Sequence, residues 1–367
     1  MRITLVISSL TAGGAERVMT IMANYWAAKG WGITLLTLDS GKEPPFYSLH
    51  PAVLYCPLGI AEISSNTFQS VKNNLRRIRV LRKAIVESAP QAVISFIDQI
   101  NIITILATIG LCVPMIVSER IDPAYHSIGK VWNILRNIFY PLSSGVVVQT
   151  ENALQFFPPS IRRLGKIIPN PVAVPDNFKI CSGKETVNGE KVVMAMGRLC
   201  EQKGFDILLK AFAVVAPNFN EWKLIIWGEG ALRDYLESLK DQLGLKGRVY
   251  LPGRTKEPYV ALKSADLFVI SSLYEGFPNA LCEAMALGVP VISTDCPSGP
   301  GEIIRDGLDG VLVPPGDVDA LAGVLERLMS DEKERKRIAA RAPEVIERFS
   351  LEKVMGMWES LLGGFTK

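Results

Sequence analysis

Ala265-Asp266-Leu267-Phe268-Val269-Ile270-Ser271-Ser272, followed shortly by Glu275-Gly276-Phe277-Pro278-Asn279-Ala280-Leu281-Cys282-Glu283, decides the reading of this chain. The first run is short, apolar and ends in hydroxyls, as a buried strand does. Ala280 to Leu287 reads as a helix, with Pro278 near its first turn and Gly288 as its stop. Between them lies a turn framed by two carboxylates, Glu275 and Glu283. In open α/β sheets ligands bind outside the carboxyl ends of the strands, so this turn stands where a ligand would be. The bare amides at the helix start favour an anion there.

The same unit recurs on both sides. Upstream, Val192 to Met196 leads into Gly197-Arg198-Leu199-Cys200-Glu201-Gln202-Lys203-Gly204, and Phe205, Leu208, Leu209 and Phe212 then mark a helix. Lys223 to Trp227 ends in Gly228-Glu229-Gly230, and Val249 to Leu251 ends in Pro252-Gly253-Arg254. Downstream, Val289 to Thr294 leads into Asp295-Cys296-Pro297-Ser298-Gly299-Pro300-Gly301-Glu302. This is a doubly wound sheet.

An earlier sheet precedes it. Ile3 to Ile7 is a strand, Thr11-Ala12-Gly13-Gly14-Ala15-Glu16-Arg17 a turn, and Val18, Ile21, Met22 and Tyr25 a helix stripe closed by Gly30. Ile33 to Leu38 completes a βαβ opening. The full G-x-G-x-x-G fingerprint is absent, which weakens a nicotinamide reading. Gln91 to Phe96 ends in Ile97-Asp98-Gln99, and Met115 to Val117 ends in Ser118-Glu119-Arg120. Acidic residues thus follow two sheet strands. Residues 41–70 read as loop-rich, and Val146 to Gln149 as the last strand of this half. Lys166 to Val172, with Pro169 and Pro171, reads as an extended linker and hinge. The fold class is therefore α/β, with two doubly wound Rossmann-like domains over residues 1–170 and 171–349 and a terminal helical segment over 350–367.

The totals agree with two soluble domains: 367 residues, 48% hydrophobic and 21% charged. Net charge is +3, unevenly spread, with 16 Lys/Arg against 9 Asp/Glu in residues 1–170 and 24 against 28 in the rest. The first half is the side that suits an anionic surface or acceptor. A basic helix, Val71 to Ile85, carries Lys72, Arg76, Arg77, Arg79, Arg82 and Lys83 around the apolar stripe Leu75, Ile78, Leu81 and Ile85. It reads either as a solvated basic face or as a helix facing anionic lipid or a lipid-linked diphosphate. Six scattered cysteines and two histidines give no metal-site spacing and suit free thiols in a reducing cytosol. The apolar start is too short for a signal peptide. Pro114 splits the run Ile100 to Val117 into a buried helix and a buried strand rather than a membrane span.

Two chemistries suggest themselves. Arg198 and Lys203, around one strand-to-helix turn, can reach a diphosphate from two sides; the alternative is two solvated surface cations. Glu275 and Glu283 suit either a general acid/base pair or the holding of sugar and ribose hydroxyls.

These motifs resemble glycosyltransferase family 4, retaining enzymes of the GT-B fold, over nearly the whole chain. The resemblance rests on Gly13-Gly14-Ala15-Glu16, Gly197-Arg198-Leu199 with Lys203-Gly204, Gly228-Glu229-Gly230, and Glu275 with Glu283. It looks nearest to the subgroup adding N-acetylgalactosamine or related sugars to polyprenyl-diphosphate-linked glycans. The resemblance implies two domains facing a central cleft, with the last helix crossing back to the first domain. It implies that Arg198, Lys203 and the amide of Gly14, beside Gly13, hold the donor diphosphate. Glu283 would accept from the ribose and Glu275 would contact the transferred sugar. Amides around Gly276, Phe277, Pro278 and Asn279 would meet hydroxyls or phosphate, and Gly253-Arg254 would border the base. Asp98 and Glu119 are polar candidates on the acceptor side. Many relatives carry His where Arg120 stands, so that role does not transfer by identity; Arg120 offers hydrogen bonds or charge but no base. Gly301 likewise replaces a frequent basic residue.

The expected partners are a nucleotide-sugar donor, UDP-linked, a glycan or polyprenyl-diphosphate-linked acceptor and an anionic inner membrane surface, with no nucleic acid. No cofactor or metal is expected, and the place expected is the cytoplasmic membrane face. The competing readings are a two-domain nucleotide-sugar epimerase and a non-catalytic nucleotide-sugar binder.

Overall fold

The computed structural model describes residues 1–62, 66–175 and 190–365. It divides into two compact units, Met1–Asn170 with Val354–Lys367, and Pro171–Lys353.

The first unit holds a parallel sheet of β1 (Arg2–Ile7), β2 (Gly32–Thr37), β3 (Val53–Pro57), β4 (Ala92–Phe96), β5 (Met115–Ser118), β6 (Gly145–Val148) and β7 (Gly165–Ile167), in the order β3-β2-β1-β4-β5-β6-β7. Strand β1 lies in register with both neighbours, Leu5 beside Leu35 of β2 and Ile94 of β4. Its inner residues are fully buried, as both-sided coverage of a parallel sheet requires. The helices Thr67–Ser88, Asp98–Thr108 and Lys130–Phe139 connect β3 through β6. Right-handed crossovers running one way across the sheet place all three on the same face.

The second unit holds β8 (Lys191–Met196), β9 (Trp222–Trp227), β10 (Val249–Gly253), β11 (Leu267–Ile270), β12 (Val291–Thr294) and β13 (Val311–Val313), in the order β10-β9-β8-β11-β12-β13. Its pairings are parallel. Phe205, Leu208, Leu209 and Phe212 of the helix Phe205–Val215 bury the stripe read from the sequence. A fully buried side chain of this size contributes about 1.5–3 kcal/mol.

Three strands escape the sequence reading. Val53–Pro57 lies within the stretch read as loop, Gly165–Ile167 takes the first residues of the expected linker, and Val311–Val313 was not distinguished. Strand β6 is therefore not the last of its sheet. All three are edge strands. An edge strand needs no continuous apolar run, and it tolerates the proline that closes β3.

Ile100 to Val117 does split as read, into a helix buried on nearly every side and the strand β5. No helix among the described residues is long and apolar enough to cross a membrane. The helix Leu351–Gly363 runs into the first unit, where Trp358 is fully buried against Phe96, ring centroids 6.4 Å apart. Glu359 receives the Lys29 ammonium at 2.8 Å.

Candidate functional site

In each sheet the strand order reverses once, between β1 and β4 in the first unit and between β8 and β11 in the second. A crevice opens at such a reversal because the flanking connections leave in opposite directions. Gly13, Gly14 and Asp98 stand at the first of these places, and Arg198, Lys203 and Glu275 at the second.

In the second unit, β8 runs into Gly197-Arg198-Leu199 and a single 3-10 turn, Glu201–Lys203. Gly204 then starts the next helix at φ 57°, and a Cβ on it would lie 2.2 Å from the Ser271 carbonyl oxygen. Only glycine lets the β8 turn close onto the end of β11. Ser271 Oγ donates to the Lys203 carbonyl at 2.8 Å, and Gln202 Nε2 donates to the Tyr274 carbonyl at 3.0 Å. The backbone N–H of Leu273 donates to the Gln202 carbonyl, also at 2.8 Å.

These bonds aim Lys203 at Glu275. The ammonium lies 2.5 Å from Glu275 Oε1, which also accepts from Ser272 Oγ at 2.6 Å. Glu275 is 5% exposed. A buried carboxylate is tolerated when a cation and a hydroxyl compensate it. Arg198, by contrast, is exposed, with one long contact from Nη2 to Gln202 Oε1 at 3.3 Å. The two cations thus differ: one is held in a pair and the other is open to an arriving anion.

The turn Gly276-Phe277-Pro278 packs against the segment after β12. The Glu275 N–H reaches the Pro297 carbonyl at 3.4 Å, and Thr294 Oγ1 donates to the Ser272 carbonyl at 2.6 Å. Phe277 stacks edge-on against Phe349 at 5.2 Å. The helix Asn279–Ala286 follows, and Glu283 sits on it, 5% exposed. Burial next to the Glu283 carboxylate pushes the Cys282 thiol far up, so Cys282 is an inert packing residue.

The glycine turns after β8, β9 and β10 lock together. A Cβ on Gly228 would lie 1.8 Å from the Gly197 carbonyl oxygen, and the Gly228 N–H donates to the Gly253 carbonyl at 2.8 Å. Glu229 pairs with Arg233 at 2.7 Å, and that bond holds its carboxyl below the usual range. Glu229 is therefore occupied with its own helix. Arg254 is exposed beyond Gly253.

In the first unit, Gly13 precedes the helix Gly14–Ala28 at the end of β1, and Asp98 follows β4. Ile97 carries φ 77°, a conformation a β-branched residue rarely takes. Such strain costs on the order of 1–3 kcal/mol and collects at functional sites. Here it turns Asp98 into the sheet end, where Oδ2 lies 3.5 Å from His126 Nε2.

Glu119, after β5, is buried with Tyr140, Arg136 and Asn101. Tyr140 donates to it at 2.6 Å, and Arg136 Nη1 stands 3.7 Å away. Burial raises the Glu119 carboxyl to about 7, opposed by Arg136 and reinforced by Asp98. Arg120 stacks on Phe96, 3.6 Å from the ring centroid, and donates to Asn170 Oδ1 at 2.8 Å. Its Nε and Nη2 are buried without a hydrogen bond, and burial lowers its pKa to about 9. Its guanidinium ties the sheet end to Asn170 and to the Trp358 helix rather than standing open to a ligand.

The basic helix spans Thr67–Ser88, longer at both ends than the stretch read from the sequence. Its cations have divided duties. Arg77 donates to the carbonyls of Ile60 and Glu62, Arg82 to those of Ala107 and Ile109, and Arg76 pairs with Glu62 at 2.5 Å. Lys83 stands 3.8 Å from Glu87, whereas Lys72 and Arg79 are exposed. Leu75, expected on the apolar stripe, is half exposed, while Leu81 and Ile85 carry the burial.

Sequence reasoning missed Ser272, Gln202 and Tyr140 as partners, and His126 beside Asp98. The paired hydroxyls closing β11 were the signal for the first. The others are met only through the fold.

A family model described as "Glycosyl transferases group 1" matches residues 179–345. The chain is 31% identical over 363 residues, 99% of its length and 98% of the relative's, to the GalNAc-alpha-(1->4)-GalNAc-alpha-(1->3)-diNAcBac-PP-undecaprenol alpha-1,4-N-acetyl-D-galactosaminyltransferase of Campylobacter jejuni. Among solved structures it is similar to the sucrose-phosphate synthase of Thermosynechococcus elongatus, with TM-score 0.81 and 18% identity over 99% of each chain. It is also similar to Anabaena HepE in complex with UDP and glucose, with TM-score 0.78 and 20% identity over 98% of each chain. Two doubly wound sheets, a cation–carboxylate pair at the strand-order reversal and a relative alike from end to end lead to one conclusion: the chain belongs to the glycosyl transferases group 1 family and is a glycosyltransferase of the GT-B fold.

Proposed function

We propose that the enzyme moves N-acetylgalactosamine or a related hexose from a UDP-sugar to a polyprenyl-diphosphate-linked glycan, with retention at the anomeric carbon. The observation that carries this reading is the Lys203–Glu275 pair between the ends of β8 and β11. It sets a phosphate-compatible cation beside a carboxylate suited to sugar hydroxyls. The Campylobacter relative, named for an undecaprenol-linked acceptor, supports the acceptor class, and the HepE complex supports UDP.

In this reading Arg198 and Lys203 bind the diphosphate, Arg198 as a planar fork and Lys203 as a point charge. Glu275 accepts from a hydroxyl of the transferred sugar, and Glu283 from the ribose. Gly14 and the amides around Phe277 and Asn279 add donors, and Arg254 borders the base. The bond from the anomeric carbon to the phosphate oxygen breaks, and a bond to the acceptor oxygen forms. The acceptor proton passes to the departing phosphate oxygen. Charge grows on that phosphate in the transition state, so fixed cations there lower the barrier. Asp98 and Glu119 are proposed on the acceptor side, and Arg120 as a group that braces this sheet end. The basic helix Thr67–Ser88 is proposed to meet the anionic face of the membrane carrying the acceptor.

The test is a panel of UDP- and GDP-sugars, each with and without a polyprenyl-diphosphate-linked glycan ending in N-acetylgalactosamine. Acceptor-dependent release of UDP with an α-linked product is the expected result. Interconversion of donor sugars without acceptor would replace this reading by an epimerase, and donor binding without turnover by a sensor.

A further inference from the structure

The helix Lys130–Phe139 is apolar on two sides. Trp132, Leu135 and Phe139 pack inward on the core of the first unit. Val131, Ile134 and Ile138, spaced i, i+3 and i+7, are between 56% and 68% exposed. Leu142, on the 3-10 turn Tyr140–Leu142 that follows, prolongs the outward stripe. A surface helix ordinarily turns one apolar stripe inward and a polar face outward, whereas here only Lys130, Asn133 and Asn137 are exposed polar residues beside a second, outer apolar stripe. This one lies on the surface, so its outer stripe is fitted to an apolar phase.

The surroundings name that phase. The helix carries no acidic residue, and it shares a sheet face with Thr67–Ser88, which packs against the intervening helix Asp98–Thr108 as Lys130–Phe139 does. Thr67–Ser88 exposes Phe68 and Val71 as well, beside a groove of about 640 Å³ lined also by Lys72, Arg76 and Arg79. Lys72, Arg79 and Lys130 are exposed and make no ion pair among the described residues. The two acidic side chains on the outer side of Thr67–Ser88, Glu62 and Glu87, already stand beside Arg76 and Lys83. Apolar side chains flanked by uncompensated cations match the acyl boundary and phosphates of an anionic bilayer.

We infer that Val131, Ile134, Ile138 and Leu142 form a wedge that enters an anionic lipid surface, while Lys72, Arg79 and Lys130 meet the lipid phosphates. The wedge rests on the proposed lipid-linked acceptor for its purpose and deepens that reading by naming the inserted helix. It seats this sheet face of the first unit on the membrane.

Flotation of the full chain tests it, with vesicles of phosphatidylglycerol and phosphatidylethanolamine against vesicles of phosphatidylcholine. The chain is expected to float with the anionic vesicles and to lose about tenfold in partitioning on the neutral ones or at high salt. The combined Val131→Ser, Ile134→Ser and Ile138→Ser exchange is expected to cut partitioning at least about tenfold on anionic vesicles. Its thermal melt and UDP affinity should stay unchanged. If the triple variant melts early, the single Ile134→Ser exchange is expected to give a partial loss at the native melting point. Unaltered flotation of a folded variant overturns the wedge. So does a homodimer in sedimentation that the exchange converts to monomer, which would make the stripe a subunit seam. Loss of UDP binding in the native chain, with flotation retained, would sink the transfer reading and leave the wedge standing.

Discussion

The ammonium of Lys203 and the carboxylate of Glu275 meet at 2.5 Å, each delivered by a different strand on either side of the strand-order reversal. Lys203 comes from the turn after β8 and Glu275 from the turn after β11. Ser272 adds a hydroxyl to the same oxygen of Glu275. Lys203→Ala is expected to lower turnover at least tenfold, about 1.4 kcal/mol in the barrier. Glu275→Gln, which keeps the shape and removes the charge, is expected to act in the same direction. The double variant should lose less than the two single losses combined, because the residues share one interaction. Steady-state rates of all three check this, and full activity in Lys203→Ala would remove the diphosphate assignment.

Glu283 is buried one helical stretch beyond Glu275. If its carboxylate receives a ribose hydroxyl, Glu283→Gln weakens UDP and UDP-sugar binding alike, and turnover falls at least about tenfold. Calorimetric titration with UDP reports this separately from catalysis. Unchanged UDP affinity together with unchanged turnover would assign Glu283 to packing alone.

Glu119 makes stability depend on pH in an unusual direction. Burial raises its carboxyl from 4.5 to about 7, so the folded chain keeps a proton that the unfolded chain has released. The stability this supplies is whole below pH 4.5 and is lost as pH rises through about 7. The slope in that window is at most about 1.4 kcal/mol per pH unit. Urea unfolding across it should show stability falling with rising pH from this group. Glu119→Gln, neutral at every pH, should flatten the slope and cost most above about pH 7, where Arg136, 2% exposed, loses its carboxylate. A slope identical in the variant would contradict the assignment.

The cations of Thr67–Ser88 should separate into two kinds. Arg77→Glu breaks bonds to two carbonyls and is expected to lower the melting temperature by several degrees, on the order of 1–2 kcal/mol. Arg79→Glu touches no partner among the described residues and should leave the melt unchanged while weakening anionic-vesicle binding. A melt that falls equally for both would show that Arg79 also serves the fold.

The sequence by itself determined the two doubly wound sheets and the turns that carry chemistry. Central strands of parallel sheets are buried on both sides and therefore appear as apolar runs, and β8 and β9 run directly into glycine. Gly204 and Gly228 are legible for the same reason: the backbone of a neighbouring turn comes within the space of a Cβ. The edge strands β3 and β7 were not legible, because they are half-covered and lack that apolar signature, and β13, though apolar and largely buried, is only three residues long. Only the tertiary structure decided which site residues meet. Lys203 and Glu275 are 72 residues apart, and no local pattern encodes their contact. The same holds for Arg120, which reads as a cation at a strand end. The fold turns it inward, because Phe96 and Trp358 supply a flat aromatic surface and Asn170 an acceptor. Local propensity and hydrophobic periodicity act over a few residues, so they set elements and turns. Burial, pairing and the choice between an open and an occupied charge depend on what distant segments bring alongside, and sheet order alone supplies that.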